Sequence, residues 1–540
     1  MKKFIPTPEQ QAVLDYPSHM VVTACPGSGK TAVIAAKVRQ ILPSLPSYRG
    51  IIAISYTRKA SAELKRRCEF DGVDTKKSFF GTIDAFSISE IIAPFFGHVC
   101  GKNPKKLEVK YFSSFTEGEK AAFDDVSIHA LTTGHAESLK DRLTVLYENG
   151  VILMESVGVL AHYVLENSPA CRRYLKSKYS AIFIDEYQDS GEPQHKLFVR
   201  FRDLGILSIA VGDVNQSIFA FAHRDPVYLK SLCLSNSGYQ HLELTINHRC
   251  HPSIINYANR LLDQSCALQP AQSIQVFRRQ ITGTQVEVVA WINSILEQVK
   301  VHFGVVHNRE IGILVRNSST GVIVKSNLSF PSRLFNDNVL TQSTALCSTI
   351  FCALLSFRRD IRLTAQSIID EFCLRSIKRS ELVSLRKFVI ACRKCNDEGL
   401  AAALIQAAEA LVAEAVPAKS LEELTAVLAQ PSEMQIFDAI SDHEVQILTL
   451  HKAKGLEFKV VFHLDLYDWI IPRRVFIQGC YDEVFENEQE CLNLHYVGIT
   501  RAQAACVLLT STQRYNFANQ VKNARSSQFF DKPGLAGLYQ

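Results

Sequence analysis

A β-branched run, Val21-Val22-Thr23, passes through Ala24, Cys25, Pro26, Gly27, Ser28, Gly29, Lys30 and Thr31 into the helix-like text AVIAAKVRQIL. This order prescribes a strand, a glycine-rich turn and a helix. Gly27 and Gly29 let the backbone turn so that successive N–H groups point at one spot, at the positive end of the helix dipole. Lys30 adds a mobile positive charge, and the Thr31 hydroxyl suits a Mg²⁺ ligand. Ala24 stands where the commoner pattern has its first glycine. A chance Gly/Ser turn is the bland alternative. Gly-Ser-Gly-Lys-Thr between strand and helix points instead to a loop that cradles the phosphates of a nucleoside triphosphate such as ATP.

Short apolar runs recur along the chain: IIAIS (51–55), AIFI (181–184), LSIAV (207–211), IGILV (311–315), VQILT (445–449) and VVFHL (460–464). Such runs between helical patterns predict an α/β fold of parallel sheets covered on both faces, with ligands at the carboxyl ends of the strands. Two stretches, roughly 90–178 and roughly 350–440, lack this signature and read as helical. The phosphate loop and the acidic strand end at 185 lie too far apart for one small nucleotide-binding domain. The first helical stretch is therefore expected to be an insertion, and the second interrupts another α/β region in the same way.

The 540 residues suggest roughly three or four domains. A composition of 47% hydrophobic and 21% charged residues supports substantial cores. No continuous apolar run approaches the ~18 residues of a membrane span, and no apolar segment follows the two N-terminal lysines as a secretory signal would. A membrane partner is not expected. Fifteen cysteines without dense regular spacing read as thiols of a reducing cytoplasm. Cys392 and Cys395 form a lone CxxC, better explained by core packing than by zinc. The net charge of +5 permits nucleic-acid binding without arguing for it.

After AIFI come Asp185, Glu186, Tyr187, Gln188 and Asp189. Two adjacent carboxylates at a strand end suit metal-assisted phosphate hydrolysis: Asp185 would hold Mg²⁺, and Glu186 would orient and deprotonate the attacking water. A solvated helix start would look similar in isolation.

DEYQD, with VGDVNQSIF (211–219), NHR (247–249), TLHKAKGLEF (449–458) and YVGITRA (496–502), resembles the superfamily 1 DNA helicases of the UvrD, PcrA and Rep type. The motifs keep that family's order from PTPEQQAVL near the start to residue 502. The resemblance implies two RecA-like motor domains, each split by an insertion, with ATP in the cleft between them and single-stranded DNA across the top. It divides the chain into a first motor (1–90 plus 179–250) with its insertion (91–178), and a second motor (251–349 plus 441–540) with a reduced insertion (350–440). It also implies that Gln10 reads the adenine edge, Gln216 senses the γ-phosphate, Arg249 and Arg501 reach that phosphate, and Glu457 contacts the ribose. On the DNA side it implies base stacking on Tyr56, Phe219 and Phe221, and phosphate contacts from Thr57, Lys59 and Thr82.

Several positions depart from the family pattern. Asp84 replaces a common histidine, which removes an expected DNA contact. His248 and Ala32 stand where the family holds adenine between a tyrosine and an arginine, so ATP is expected to be favoured over GTP only modestly. The second insertion is short, and with about forty residues after Arg501 the nuclease domain of some relatives is not expected. A compact protein of this kind is also similar to the helicase-like subunits of Gabija-type antiphage systems, which work beside an OLD-like nuclease. The expected activity is ATP-dependent DNA translocation and unwinding, 3′ to 5′. The alternatives are a nucleotide- or DNA-end-sensing ATPase subunit without unwinding, and a solitary repair helicase.

Overall fold

The computed structural model describes residues 4–540 apart from 105–106, 220–223, 344, 374–376, 414, 476, 478–482 and 517; at 58–59 it describes the backbone. Phe221 and the Lys59 side chain, both expected to contact DNA, lie outside the described residues.

The first sheet contains β1 (Met20–Ala24), β2 (Gly50–Ile54), β3 (Phe79–Gly81), β6 (Tyr179–Ile184), β7 (Leu207–Gly212) and β8 (Gln240–Leu244). All are parallel, in the order β3-β2-β6-β7-β1-β8. Strand alternation sorts its side chains. Val22, Ile51 and Ala53 enter one core with Val33 and Val38 of the helix that follows the glycine-rich loop. Val21, Ile52 and Ile54 enter the opposite core, which continues into the first helical stretch through Phe86, Leu160 and Val164. That stretch is not purely helical: β4 (Glu108–Lys110) and β5 (Val151–Leu153) form a short parallel pair within it.

The second sheet is parallel as well, with β9 (Val276–Ile281), β10 (Ile311–Val315), β11 (Ser332–Leu334), β12 (Val445–Thr449), β13 (Phe458–His463) and β16 (Ala502–Ser511). Its order is β11-β12-β10-β13-β16-β9. Two small antiparallel ribbons accompany it: β14 (Arg473–Val475) with β15 (Val484–Glu486), and β17 (Gln513–Tyr515) with β18 (Val521–Asn523). The second helical stretch has a core of its own, running from Leu340 to Phe437 and including Cys392.

One helix bears on the expected absence of a membrane span. The helical run Ile83–Cys100 has 18 residues and a mean hydropathy of 1.3, long and apolar enough to cross a membrane by length and composition alone. Ser87, Ser89, Glu90 and His98 break it up in the sequence, so no continuous apolar run is visible there. Phe86, Ile91, Ile92 and Phe96 are buried within the protein, which makes this a core helix.

In the first sheet, β7 lies between β1 and β6. The glycine-rich loop after β1, the carboxylates after β6 and the GDVNQS segment after β7 therefore converge at one sheet edge despite their separation in sequence. β2 and β3 bring Tyr56, Thr57 and Thr82 to the same edge.

Candidate functional site

The loop after β1 has the backbone its sequence requires. Gly27 and Gly29 have φ of +69° and +82°, and Gly29 caps the helix Lys30–Ile41. Cys25 N–H donates to Leu244 O at 3.0 Å, tying the loop to β8. Burial pushes the Cys25 thiol up to about 12, so it is a packed thiol rather than a reactive one. The segment after β8 then folds over the loop. Asn247 Nδ2 donates to Pro26 O at 2.5 Å, and His248 N–H donates to Gly27 O at 3.0 Å. Asn247 Oδ1 accepts from the N–H groups of Arg249 and Cys250. Contact is so close that a Cβ on Gly27 would lie 2.6 Å from Arg249 Cβ.

Gln10 is buried behind the loop. Its Nε2 donates to Ser28 O at 2.9 Å, and its Oε1 accepts from Thr7 N–H at 3.0 Å in a capping box. Gln10 thus braces the phosphate loop itself.

Thr31 Oγ1 donates to Asp185 Oδ2 at 3.2 Å. Burial and the neighbouring Glu186 charge raise Asp185 to about 7, with Lys30 opposing. Glu186 is half-buried, but Lys30, Lys454, a hydrogen bond from Gln188 and Arg501 outweigh its desolvation and keep it below its ordinary range. Glu186 has a left-handed backbone (φ +56°), uncommon outside glycine, which turns its side chain out of the strand direction. Gln188 fixes that carboxylate, donating to Glu186 Oε2 at 2.5 Å while accepting from Asp213 N–H at 2.9 Å.

The second sheet completes the site. Gln216 Nε2 donates to Asp213 Oδ2 at 2.7 Å, and Gln216 Oε1 accepts from Arg501 Nη2 at 3.2 Å. Arg501 is 1% exposed and otherwise bonds the carbonyls of Val497 and Leu456. Burial and the nearby Arg249 charge lower it to about 10. Arg249 Nε donates to Glu457 Oε2 at 2.8 Å, so two residues expected to act separately on a nucleotide are paired with each other.

The residues Pro26 to Ala32, Glu186, Gln216, His248, Arg249, Glu457 and Arg501 line one cavity of about 530 Å³, together with Arg67, Gly455 and Gln503. That volume is in the range of small-ligand sites.

The expected DNA contacts lie beside it. Tyr56 is 40% exposed, and its ring stacks on Phe219 at 5.3 Å between centroids and 20° between planes. The hydroxyls of Thr57 and Thr82 accept from Ala60 N–H and Ala85 N–H as helix caps. Asp84 is half-buried and raised by desolvation, opposed by Arg224 and a hydrogen bond from Gln194. Arg224 also bonds the Tyr56 hydroxyl, so the acidic replacement holds a cation beside the stack.

Sequence reasoning missed Lys454. Its ammonium donates to Asp189 Oδ2 at 2.6 Å and to Gln216 O at 2.7 Å, and it sits 5.0 Å from the Phe219 ring centroid. Asn493 was missed as well; its Nδ2 donates to Ser217 O at 2.8 Å. Both residues sit inside or beside quoted motifs, but nothing in the local sequence names partners more than two hundred residues away.

Two parallel sheets meeting over a glycine-rich phosphate loop define a two-motor, RecA-like P-loop ATPase. Family models match accordingly, an AAA domain over residues 9–222 and the UvrD-like helicase C-terminal domain over residues 382–513. The chain thus carries a UvrD-like helicase C-terminal domain and an AAA domain, is similar to ATP-dependent DNA helicases along most of its length, and is an ATP-hydrolysing enzyme. It is 24% identical over 521 residues to the Gabija protein GajB of Bacillus cereus (strain VD045), covering 92% of this chain and 94% of that protein. It is 20% identical to the ATP-dependent DNA helicase Rep of Buchnera aphidicola subsp. Schizaphis graminum (95% of this chain, 94% of the relative). It is also 20% identical to the ATP-dependent DNA helicase PcrA of Staphylococcus aureus (96% and 85%).

Proposed function

We propose that the chain is an ATP-driven DNA translocase and helicase that moves 3′ to 5′ on the tracked strand. The observation that carries this reading is the contact path from Gln216, in the wall of the cavity that the phosphate loop lines, through Lys454 to the Tyr56–Phe219 stack. Residues 1–90 plus 179–250 and 251–349 plus 441–540 form the motors, and 91–178 and 350–440 are their insertions. In this reading residues 24–31 hold the triphosphate, Gln10 and His248 serve the base, and Glu457 exchanges Arg249 for the ribose.

Thr31 and Asp185 offer hard oxygen donors beside Lys30, a set that fits Mg²⁺. When bound, that ion would neutralise charge on the phosphate oxygens. Glu186, kept ionised by the surrounding cations, orients the attacking water and takes its proton. Arg249 beside the loop and Arg501 from across the cleft stabilise charge on the terminal phosphate, so the part played by Arg501 requires closure. Gln216, bonded to Arg501, reports the state of that phosphate to the second motor. Tyr56, Phe219 and Phe221 stack bases without regard to sequence, and Thr57, Lys59 and Thr82 hold the backbone.

The likeness to GajB along nearly the full length of both chains favours a narrower reading: this helicase works in an antiphage complex beside an OLD-like nuclease in the cytoplasm. Co-purification with the products of adjacent genes tests that partnership. For the ATPase, Lys30→Ala should lose nucleotide affinity, whereas Glu186→Gln should bind ATP and leave it intact. Parental turnover in Glu186→Gln would overturn the assignment of the base.

A further inference from the structure

We infer that Arg67, which lies in none of the motifs, provides the flat cationic surface on which the nucleotide base rests. The inference depends on reading the cavity as the ATP site. Lys30, Thr31, Glu186, Gln216 and Arg501 fix its phosphate end. The rest of the wall includes Ala32, Arg67, His248 and Gln503. A purine must lie along that part.

Arg67 is held for such a role. It belongs to the last turn of the helix Arg58–Cys68, where Leu64 and Cys68 are fully buried in the core beneath the first sheet. Its Nε donates to Glu63 Oε1 at 2.7 Å, which fixes the guanidinium plane and leaves the terminal nitrogens unused by that bond. Glu63, also bound by Arg66, is a positioning residue. The Arg67 side chain is 38% exposed, so one face is open to a ligand. Ala32, in the first turn of the helix after the loop, contributes only a methyl group to the same wall and leaves the space that a longer side chain would take. His248, which lines the same cavity, is pinned through its backbone to Gly27 O.

A guanidinium is planar and weakly hydrated, and it stacks on aromatic faces where a lysine ammonium acts only as a point charge. The His248 imidazole and the Arg67 guanidinium line the same cavity, so a base that enters it has two planar groups to rest against. The surface missing at Ala32 is restored from a neighbouring helix. Stacking of this kind tolerates any base, so Arg67 raises affinity for ATP and GTP alike without choosing between them.

Isothermal titration of the full chain and of Arg67→Ala and Arg67→Lys with Mg-ATP, Mg-GTP and Mg-tripolyphosphate tests this. In Arg67→Ala, ATP and GTP should each bind about five- to thirtyfold more weakly, with tripolyphosphate unchanged. Arg67→Lys should recover little of the loss. Unchanged tripolyphosphate binding also reports that the variant is folded. An equal loss for tripolyphosphate would make Arg67 a phosphate contact, and unchanged ATP binding would make it a surface residue; either overturns the proposal. If the parent chain bound none of the three, the ATP-site reading itself would fail.

Discussion

Replacing Lys454 by methionine tests the contact between the two motors. Lys454 and Asp189 are 10% and 1% exposed, and Asp189 Oδ1 has no hydrogen-bond partner among the described residues. Lys454 is the largest stabiliser of the carboxylate, with a smaller contribution from the Arg224 charge. Burial raises Asp189 to about 6, with Lys454 opposing the rise. Its pKa in the folded chain lies above the ordinary 3.8, so the buried site disfavours the ionised form, and that penalty grows as pH rises from 3.8 to 6. Without Lys454 the pKa moves higher still. The variant's extra penalty should begin above about pH 6 and grow by about 1.4 kcal/mol per pH unit. It should level off at the roughly 3–5 kcal/mol of a stranded buried charge. Loss of the bond to Gln216 O adds about 1 kcal/mol at every pH. Urea denaturation of the full chain at pH 6, 7 and 8 should show a gap between parent and Lys454→Met that widens with pH, and Lys454→Met with Asp189→Asn should remove the widening. A gap independent of pH, or none at all, would refute the reasoning.

Further substitutions probe the rest of the site. Phe219→Ala removes the partner of Tyr56 and should weaken single-stranded DNA binding by about 1–3 kcal/mol, leaving ATP hydrolysis without DNA near the parental rate. A fluorescence-anisotropy titration checks the first and a phosphate-release assay the second. Gly27→Ala puts a Cβ 2.6 Å from Arg249 Cβ at a φ of +69°, and equilibrium dialysis should find ATP binding lost. Arg224→Ala should lower the slope of log K against log salt for single-stranded DNA by about 0.7, the value of one phosphate contact. Asp84→Asn, which frees Arg224 from its carboxylate without removing it, should leave that slope close to the parent's.

Much of the architecture is legible in the sequence because buried parallel strands are continuous apolar runs. β2 and β10, buried at every residue, fall within a residue of the runs that announce them. Others are concealed by composition. β8 reads QHLEL and β9 reads VFRRQI, because both lie at sheet edges and keep polar side chains partly in solvent. β16 opens on AQAAC, which carries no β-branched signal, yet it is central enough to pair with both β13 and β9. The site divides similarly. The phosphate loop and the DEYQD strand end are local patterns, each readable from a few neighbouring residues. Lys454, Arg67 and Asn493 owe their positions to packing between elements far apart in sequence. Gln10 occupies an intermediate place: its motif is visible, but only the fold reveals that it braces Ser28 from behind.

The short segment Asp213–Ser217 is gripped from four directions: Gln188 at Asp213 N–H, Arg501 at Gln216 Oε1, Lys454 at Gln216 O and Asn493 at Ser217 O. Phe219 follows two residues later and stacks on Tyr56. The segment therefore works like a clutch plate. When the second motor presses on it, a displacement at Gln216 reaches the aromatic stack through only three residues, with little slack in between. If the second motor withdrew, the contacts of Arg501, Lys454 and Asn493 with this segment would be lost together.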